Sequence, residues 1–295
     1  MRTTLLLCLL PLLAACAGLP PPDARRQAAL DLAATQGWLP LRLMTAGPPM
    51  VAFVPAAAVR ADTLTVFIEG DGLAWLTPTR ASPDPTPLDP LGLRLALAHR
   101  AGPAVYLARP CQFLSAERDV AAAACPAPLW LDKRFSEQAV ALSGDAIDQL
   151  KQRIGARRLT LVGYSGGAAI AALLAARRDD VDLLVTIAGN LDTEAWTRHH
   201  RLSPLAGSLN PSDHVARLTD LRQVHLVGSH DDTIHPRFAH AYAARFPPAQ
   251  RPAVVDIDDA DHRCCWVQRW PALWQQVTTT VEKGGGHSST LQRRR

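Results

Sequence analysis

Residues 159–178 read LTLVGYSGGAAIAALLAARR. Ser165 stands at the centre of Gly163-Tyr164-Ser165-Gly166-Gly167, with an apolar run, Leu159 to Val162, before it and an alanine-rich run after it. A serine hydroxyl acts as a nucleophile only when it is exposed to substrate and paired with a base. A sharp turn between a strand and a helix gives the exposure, because it lifts the side chain off the end of a sheet. Glycine suits positions 163 and 167, where a Cβ would clash as strand and helix pass closely. The Gly166 N–H, at the start of the helical run, is placed to stabilise a developing oxyanion. A five-residue pattern of this kind also arises by chance. The strand before it and the helix after it are what give it weight.

This strand, G-x-S-x-G turn and helix resembles the nucleophile elbow of the α/β-hydrolase superfamily. The resemblance implies an α/β fold built on a mostly parallel, doubly wound sheet with helices on both faces. It also implies a triad running nucleophile, acid, base along the chain. The acid follows the next-to-last strand, where Val224–Val227 leads into Gly228-Ser229-His230-Asp231-Asp232-Thr233-Ile234. Related chains commonly carry G-x-x-D-x-x-V/I there, which makes Asp231 the implied acid. Asp232 is the adjacent alternative, and either aspartate could instead cap the helix that begins near Pro236. The base follows the last strand, and His262 is the one histidine between Ala253–Ile257 and the final helix. Its ring must accept the serine proton and return it to the leaving group. His199, His200, His214, His230, His235 and His240 read as surface or loop residues.

The second oxyanion donor is implied in the loop after an early strand, Glu69-Gly70-Asp71-Gly72, with the Asp71 amide as the donor. Related chains commonly have His-Gly there. This sequence departs from them with Glu69 at the histidine position and an acidic side chain at Asp71. A carboxylate beside an oxyanion must point away or be paired with a cation, and Arg109 and Arg134 are candidates. A plain G-D-G turn is the competing reading.

The elements that must position these residues alternate between strand and helix signals. Strands are expected at Met50–Val54, Leu64–Glu69, Ala104–Ala108, Leu159–Val162, Leu183–Ala188, Val224–Val227 and Ala253–Ile257. Helices are expected at Leu91–Arg100, Ser136–Ile154, Gly166–Arg177, Pro236–Phe246 and Trp266–Val281. The hydrolase domain is expected over residues 50–282, with a tail at 283–295 expected to be disordered. Only two short helices fit between Gly189 and Arg222, so no large apolar lid is expected. The Pro-rich stretch Thr77–Pro90 and the loop Arg109–Phe135 are the other expected rims, with Trp75, Trp130 and Trp196 as candidate cleft aromatics.

The N-terminus sets an expected compartment. Arg2 precedes an apolar stretch, Leu5 to Leu13, too short to span a bilayer. Leu13-Ala14-Ala15-Cys16 resembles a bacterial lipobox, which implies a signal peptide at 1–15, a lipid-modified (palmitate-bearing) Cys16, and a tether and N-terminal segment at 16–49. Ala17 follows Cys16, and the absence of aspartate there leans towards the outer membrane, facing the periplasm. In that oxidising space Cys111, Cys125, Cys264 and Cys265 are disulfide candidates. Cys111–Cys125 is the first pairing, at the cost of a vicinal Cys264–Cys265 pair or two thiols, and pairing across the two loops is the alternative. Arg109-Pro110-Cys111-Gln112 and Asp261-His262-Arg263-Cys264-Cys265-Trp266 resemble stretches of uncharacterised proteobacterial hydrolase lipoproteins.

Composition narrows the classes. Apolar residues form 48% of the chain and charged residues 20%, as in a globular core. Lys plus Arg total 31 against 27 for Asp plus Glu, with no basic stripe, so no nucleic-acid partner is expected. No C-x-x-C or H-x-x-x-H spacing calls for a metal, and no cofactor is expected. The expected chemistry is hydrolysis of an ester, thioester or amide, small or part of the cell envelope. A peptidase of the same fold and a non-catalytic envelope binding protein are the rivals.

Overall fold

The structure is a computed structural model that describes residues 18–114 and 125–285. Cys16, the signal segment and residues 286–295 lie outside the described residues. The core is an eight-stranded sheet in the order β1-β2-β6-β3-β7-β8-β9-β10. Its strands are β1 (Trp38–Leu43), β2 (Met50–Pro55), β3 (Thr63–Ile68), β6 (Ala104–Leu107), β7 (Arg158–Tyr164), β8 (Val181–Ile187), β9 (Arg222–Gly228) and β10 (Ala253–Ile257). The pairs from β6 through β10 are parallel, while β2 is antiparallel to both β1 and β6. A two-residue β5 (Arg80–Ala81) pairs with β4 (Trp75–Thr77) as a separate ribbon.

Each of the seven expected strands is present, shifted by a few residues at most. Alternation along them explains why the sheet is covered twice. In β3, Leu64, Val66 and Ile68 enter one core cluster and Phe67 enters the other. The first cluster includes residues of α3 (Glu137–Ile154), α4 (Gly166–Ala175) and α7 (Arg237–Ala243). The second lies under α1 (Pro22–Ala34), α2 (Leu91–Ala98) and α8 (Trp266–Gly285). All ten residues of α4 are buried, so the helix behind Ser165 is an interior element with small side chains that allow close approach to the sheet. Sequence punctuation sets the ends of α3. The Ser136 hydroxyl accepts the Ala139 N–H, and Gly155 takes φ 76° just past its end.

The sheet begins at Trp38, inside the segment expected to be tether and N-terminal arm. Helix α1 docks there through buried Arg25, whose guanidinium donates to the Thr86 carbonyl and pairs with Asp84 at 3.5 Å. At the other end α8 runs to Gly285, into the segment expected to be a disordered tail. The interval after β8 holds α5 (Thr193–His200) and α6 (Val215–Leu218), two short helices. Among the described residues, no helix is long and apolar enough to cross a membrane.

Candidate active site

Ser165 is the residue between β7 and α4, and its backbone sits at φ 52°, ψ −121°. That conformation is strained for a residue with a Cβ, and it aims the side chain out of the sheet's C-terminal edge. The close packing that enforces it is visible at the glycines. A Cβ on Gly163 would lie 2.5 Å from Ala168 Cα, and one on Gly167 would overlap the Ile68 and Glu69 carbonyls. A Cβ on Gly166 would overlap the Asp71 carboxylate, a constraint the sequence pattern did not disclose.

Ser165 Oγ lies 3.0 Å from His262 Nε2, and His262 Nδ1 lies 2.9 Å from Asp231 Oδ2. Asp231 is 1% exposed, whereas Asp232 faces solvent. The second Asp231 oxygen accepts the Thr233 and Ile234 amides at 2.8 and 2.7 Å, which fixes the carboxylate in the turn after β9. Neither aspartate caps the helix that follows Pro236: α7 has no side-chain cap, and the Asp231 bonds close the turn ahead of it. His262 is held from both sides. The Tyr164 hydroxyl donates to its carbonyl at 3.0 Å, and the Tyr164 ring packs 5.4 Å from the imidazole, centroid to centroid. Tyr164 occupies the variable position of the G-x-S-x-G turn, so no sequence signal pointed to it.

Asp71 and Gly166 line the same cavity of about 370 Å³ as Ser165 and His262. Among the described residues, neither backbone N–H donates to a protein acceptor. The Asp71 carboxylate is paired twice, with Arg109 at 3.0 Å and Arg134 at 2.8 Å. Burial pushes this carboxyl up, but Arg134 and Arg109 outweigh it and hold it below the usual range. Two guanidinium groups thus face the one Asp71 carboxylate and offset its charge by pairing it. Gln112 fixes the loop itself, donating to the Gly70 carbonyl at 3.0 Å while accepting the Arg109 N–H at 3.0 Å.

Glu69 lines the same cavity, but its carboxyl is engaged elsewhere. It is buried at the N-terminus of α2 and accepts the Gly70, Gly92 and Leu93 amides at 2.9, 3.1 and 3.3 Å. Orphan helix amides favour a carboxylate. Burial dominates, however, and pushes the carboxyl up to about 7 against the downward pull of those amides.

The cysteines pair as Cys111–Cys125 and Cys264–Cys265. The vicinal pair follows His262 in a turn where the exposed Asp261 carboxylate accepts the Arg263 and Cys264 amides at 2.7 and 2.5 Å. Those two amides, Cys264 first, hold the Asp261 carboxyl below its ordinary value. The Trp266 indole closes the same turn by donating to the Asp261 carbonyl at 3.0 Å. Trp75 and Trp196 line the cavity. Trp130 instead is buried beneath the Pro-rich loop, donating to the Ser82 carbonyl at 3.1 Å, because an indole N–H in a core needs an acceptor. Among the described residues, no group of three histidines, cysteines or carboxylates could hold a metal ion.

No family model matches the chain, and no curated protein matches its sequence. Solved structures do match its fold. Est1E from Butyrivibrio proteoclasticus superposes with a TM-score of 0.54 at 11% identity, covering 83% of this chain and 98% of its own. The Pyrococcus furiosus esterase Pf2001 gives 0.56 at 10% identity, with 90% and 96% covered. XC6422 from Xanthomonas campestris, described as an α/β serine hydrolase without a lid, gives 0.50 at 13% identity, with 83% and 94% covered. The fold is thus the α/β-hydrolase fold, a mostly parallel sheet with helices on both faces.

Proposed function

We propose that the chain is a serine hydrolase that cleaves an ester through an acyl-enzyme. The observation that carries this reading is the continuous chain from Ser165 Oγ through His262 to buried Asp231, opening into a cavity. In the first half-reaction Ser165 Oγ attacks the substrate carbonyl and its proton passes to His262 Nε2. Asp231 holds Nδ1–H and stabilises the imidazolium that forms. The carbonyl oxygen becomes an oxyanion facing the Gly166 and Asp71 amides, with the Arg109–Arg134 cluster behind Asp71. As the C–O bond breaks, His262 gives the proton to the departing oxygen. Water then repeats the sequence on the acyl-serine and releases the acid.

An ester is favoured over an amide because it makes the smaller chemical demand, and the likeness to an esterase supports the same choice. Thioesters fit the same steps. We place the enzyme at the periplasmic face of a bacterial membrane, anchored through a lipid on Cys16. The lipobox-like Leu13-Ala14-Ala15-Cys16 and the oxidised state of all four cysteines beyond it support this location.

A kinetic series tests the mechanism. Ser165→Ala should lower p-nitrophenyl butyrate hydrolysis by roughly 10³-fold or more. Asp231→Asn should lose far more kcat than Asp232→Asn. Wild-type rates in the serine variant would remove Ser165 from the mechanism, and a reversed order of the aspartates would move the acid to Asp232.

A further inference from the structure

Arg263 follows the histidine and is one of the residues lining the active-site cavity. The other charged side chains of that lining are already partnered. Asp71 is held by Arg109 and Arg134, and Asp89 pairs with Arg94 at 2.8 Å. Glu69 is buried against three amides, and His262 is bonded to Asp231. The Arg263 guanidinium has no hydrogen bond or ion pair among the described residues. Its own turn offers a carboxylate, Asp261, whose hydrogen bonds go to the Arg263 and Cys264 amides, while the Arg263 charge attracts it only at longer range.

The backbone of Arg263 is therefore fixed while its exposed guanidinium is tied by no hydrogen bond or ion pair among the described residues. Asp261 holds its N–H on one side, and the Cys264–Cys265 bond immediately follows it on the other. Burial pushes the Tyr164 phenol up, and the Arg263 charge is among the groups that oppose this. The mechanism fixes which part of a substrate lies nearby. His262 Nε2 must return its proton to the departing oxygen, so the leaving group lies along the loop that carries His262 and Arg263.

The geometry points to Arg263 as the residue that recognises an anion, a carboxylate or phosphate, on the leaving-group side of the substrate. The assignment of sides rests on the serine-hydrolase reading above. It makes the natural ester one whose alcohol portion is negatively charged, with its acyl portion away from Arg263.

The test compares 4-acetoxybenzoate with its neutral counterpart 4-acetoxybenzamide. The ratio of their kcat/KM values, anionic over neutral, should fall by about tenfold in Arg263→Gln, the worth of one charge-assisted hydrogen bond from an exposed arginine. The loss should sit in KM, should shrink as salt is raised, and should be largely restored by Arg263→Lys. Using 4-acetoxyphenyl phosphate in place of the benzoate distinguishes a phosphate preference from a carboxylate one. A matching pair, p-nitrophenyl hemisuccinate and p-nitrophenyl butyrate, moves the charge to the acyl side, where the ratio should not respond. An unchanged ratio in Arg263→Gln on the first pair, the outcome for a merely solvated arginine, overturns the proposal. A loss confined to the hemisuccinate pair overturns the assignment of sides. Equilibrium binding of 4-acetoxybenzoate to Ser165→Ala, against Ser165→Ala/Arg263→Gln, reads recognition without turnover. Weaker binding in the double variant supports the proposal and equal binding overturns it, whatever the fate of the nucleophile.

Discussion

Glu69 is a buried carboxyl with amide partners and, among the described residues, no ion pair, standing where related chains commonly carry histidine. Its folded-state value, about 7, lies above the ordinary 4.5. Between those values the folded protein keeps a proton that the unfolded chain releases. Its contribution to stability is therefore full below about pH 4.5 and is lost as pH rises through about 7. Glu69→Gln keeps the shape and removes the titration. The stability of this variant relative to wild type should rise across that window and level off above it. Urea unfolding at pH values spanning the window checks this, and a pH-independent difference would contradict it. Asp71, one loop residue away from Gly70, goes the opposite way because two arginines face it. The contrast between the two acids was only half legible. Arg109 and Arg134 were readable as candidate partners, whereas the helix end that Glu69 caps is set by how α2 packs on β3.

At the scale of elements, the short stretch Arg109-Pro110-Cys111-Gln112 ties the cavity rim together. Arg109 pairs with Asp71, Gln112 bonds the Gly70 carbonyl, and Cys111 closes a loop to Cys125 across a separation of 14 residues. A loop of about that length is stabilised by roughly 3 kcal/mol when closed. Replacing both cysteines by alanine should lower unfolding free energy by about that amount, read by denaturant titration under non-reducing conditions. No change would show that packing alone fixes the loop. Elements with strong local signals were legible: α3 carries its serine cap and terminal glycine, and the parallel strands are apolar runs between turns. Strand β1 was not. Its sequence WLPLRL contains Pro40, which argues against a strand, yet β1 lies at the sheet edge where a missing N–H is tolerated. Helix α1 was hidden for a different reason. Its buried face is Arg25, Ala29 and Ala33, too weak an apolar stripe to stand out without the loop it docks against.

For the whole molecule, two core clusters clamp the sheet, and the residues of the candidate triad come from the C-terminal ends of β7, β9 and β10, where open α/β sheets place their sites. Residues of the loops after β3 and β9 and of the turn after β10 line the cavity around Ser165. The proposed lipid anchor on Cys16 has its own test. Cys16→Ala expressed in the host should move from the membrane fraction to the soluble periplasm. A wild-type chain recovered soluble, with an unmodified N-terminus, would contradict the anchor.

The central claim is that Ser165 is a nucleophile activated by His262. The direct measurement is labelling of the purified chain with a fluorophosphonate, followed by peptide mapping. The account predicts one adduct on the peptide containing Ser165, absent in Ser165→Ala and strongly slowed in His262→Ala. An unlabelled wild-type protein, or a label on another residue that survives Ser165→Ala, would contradict it.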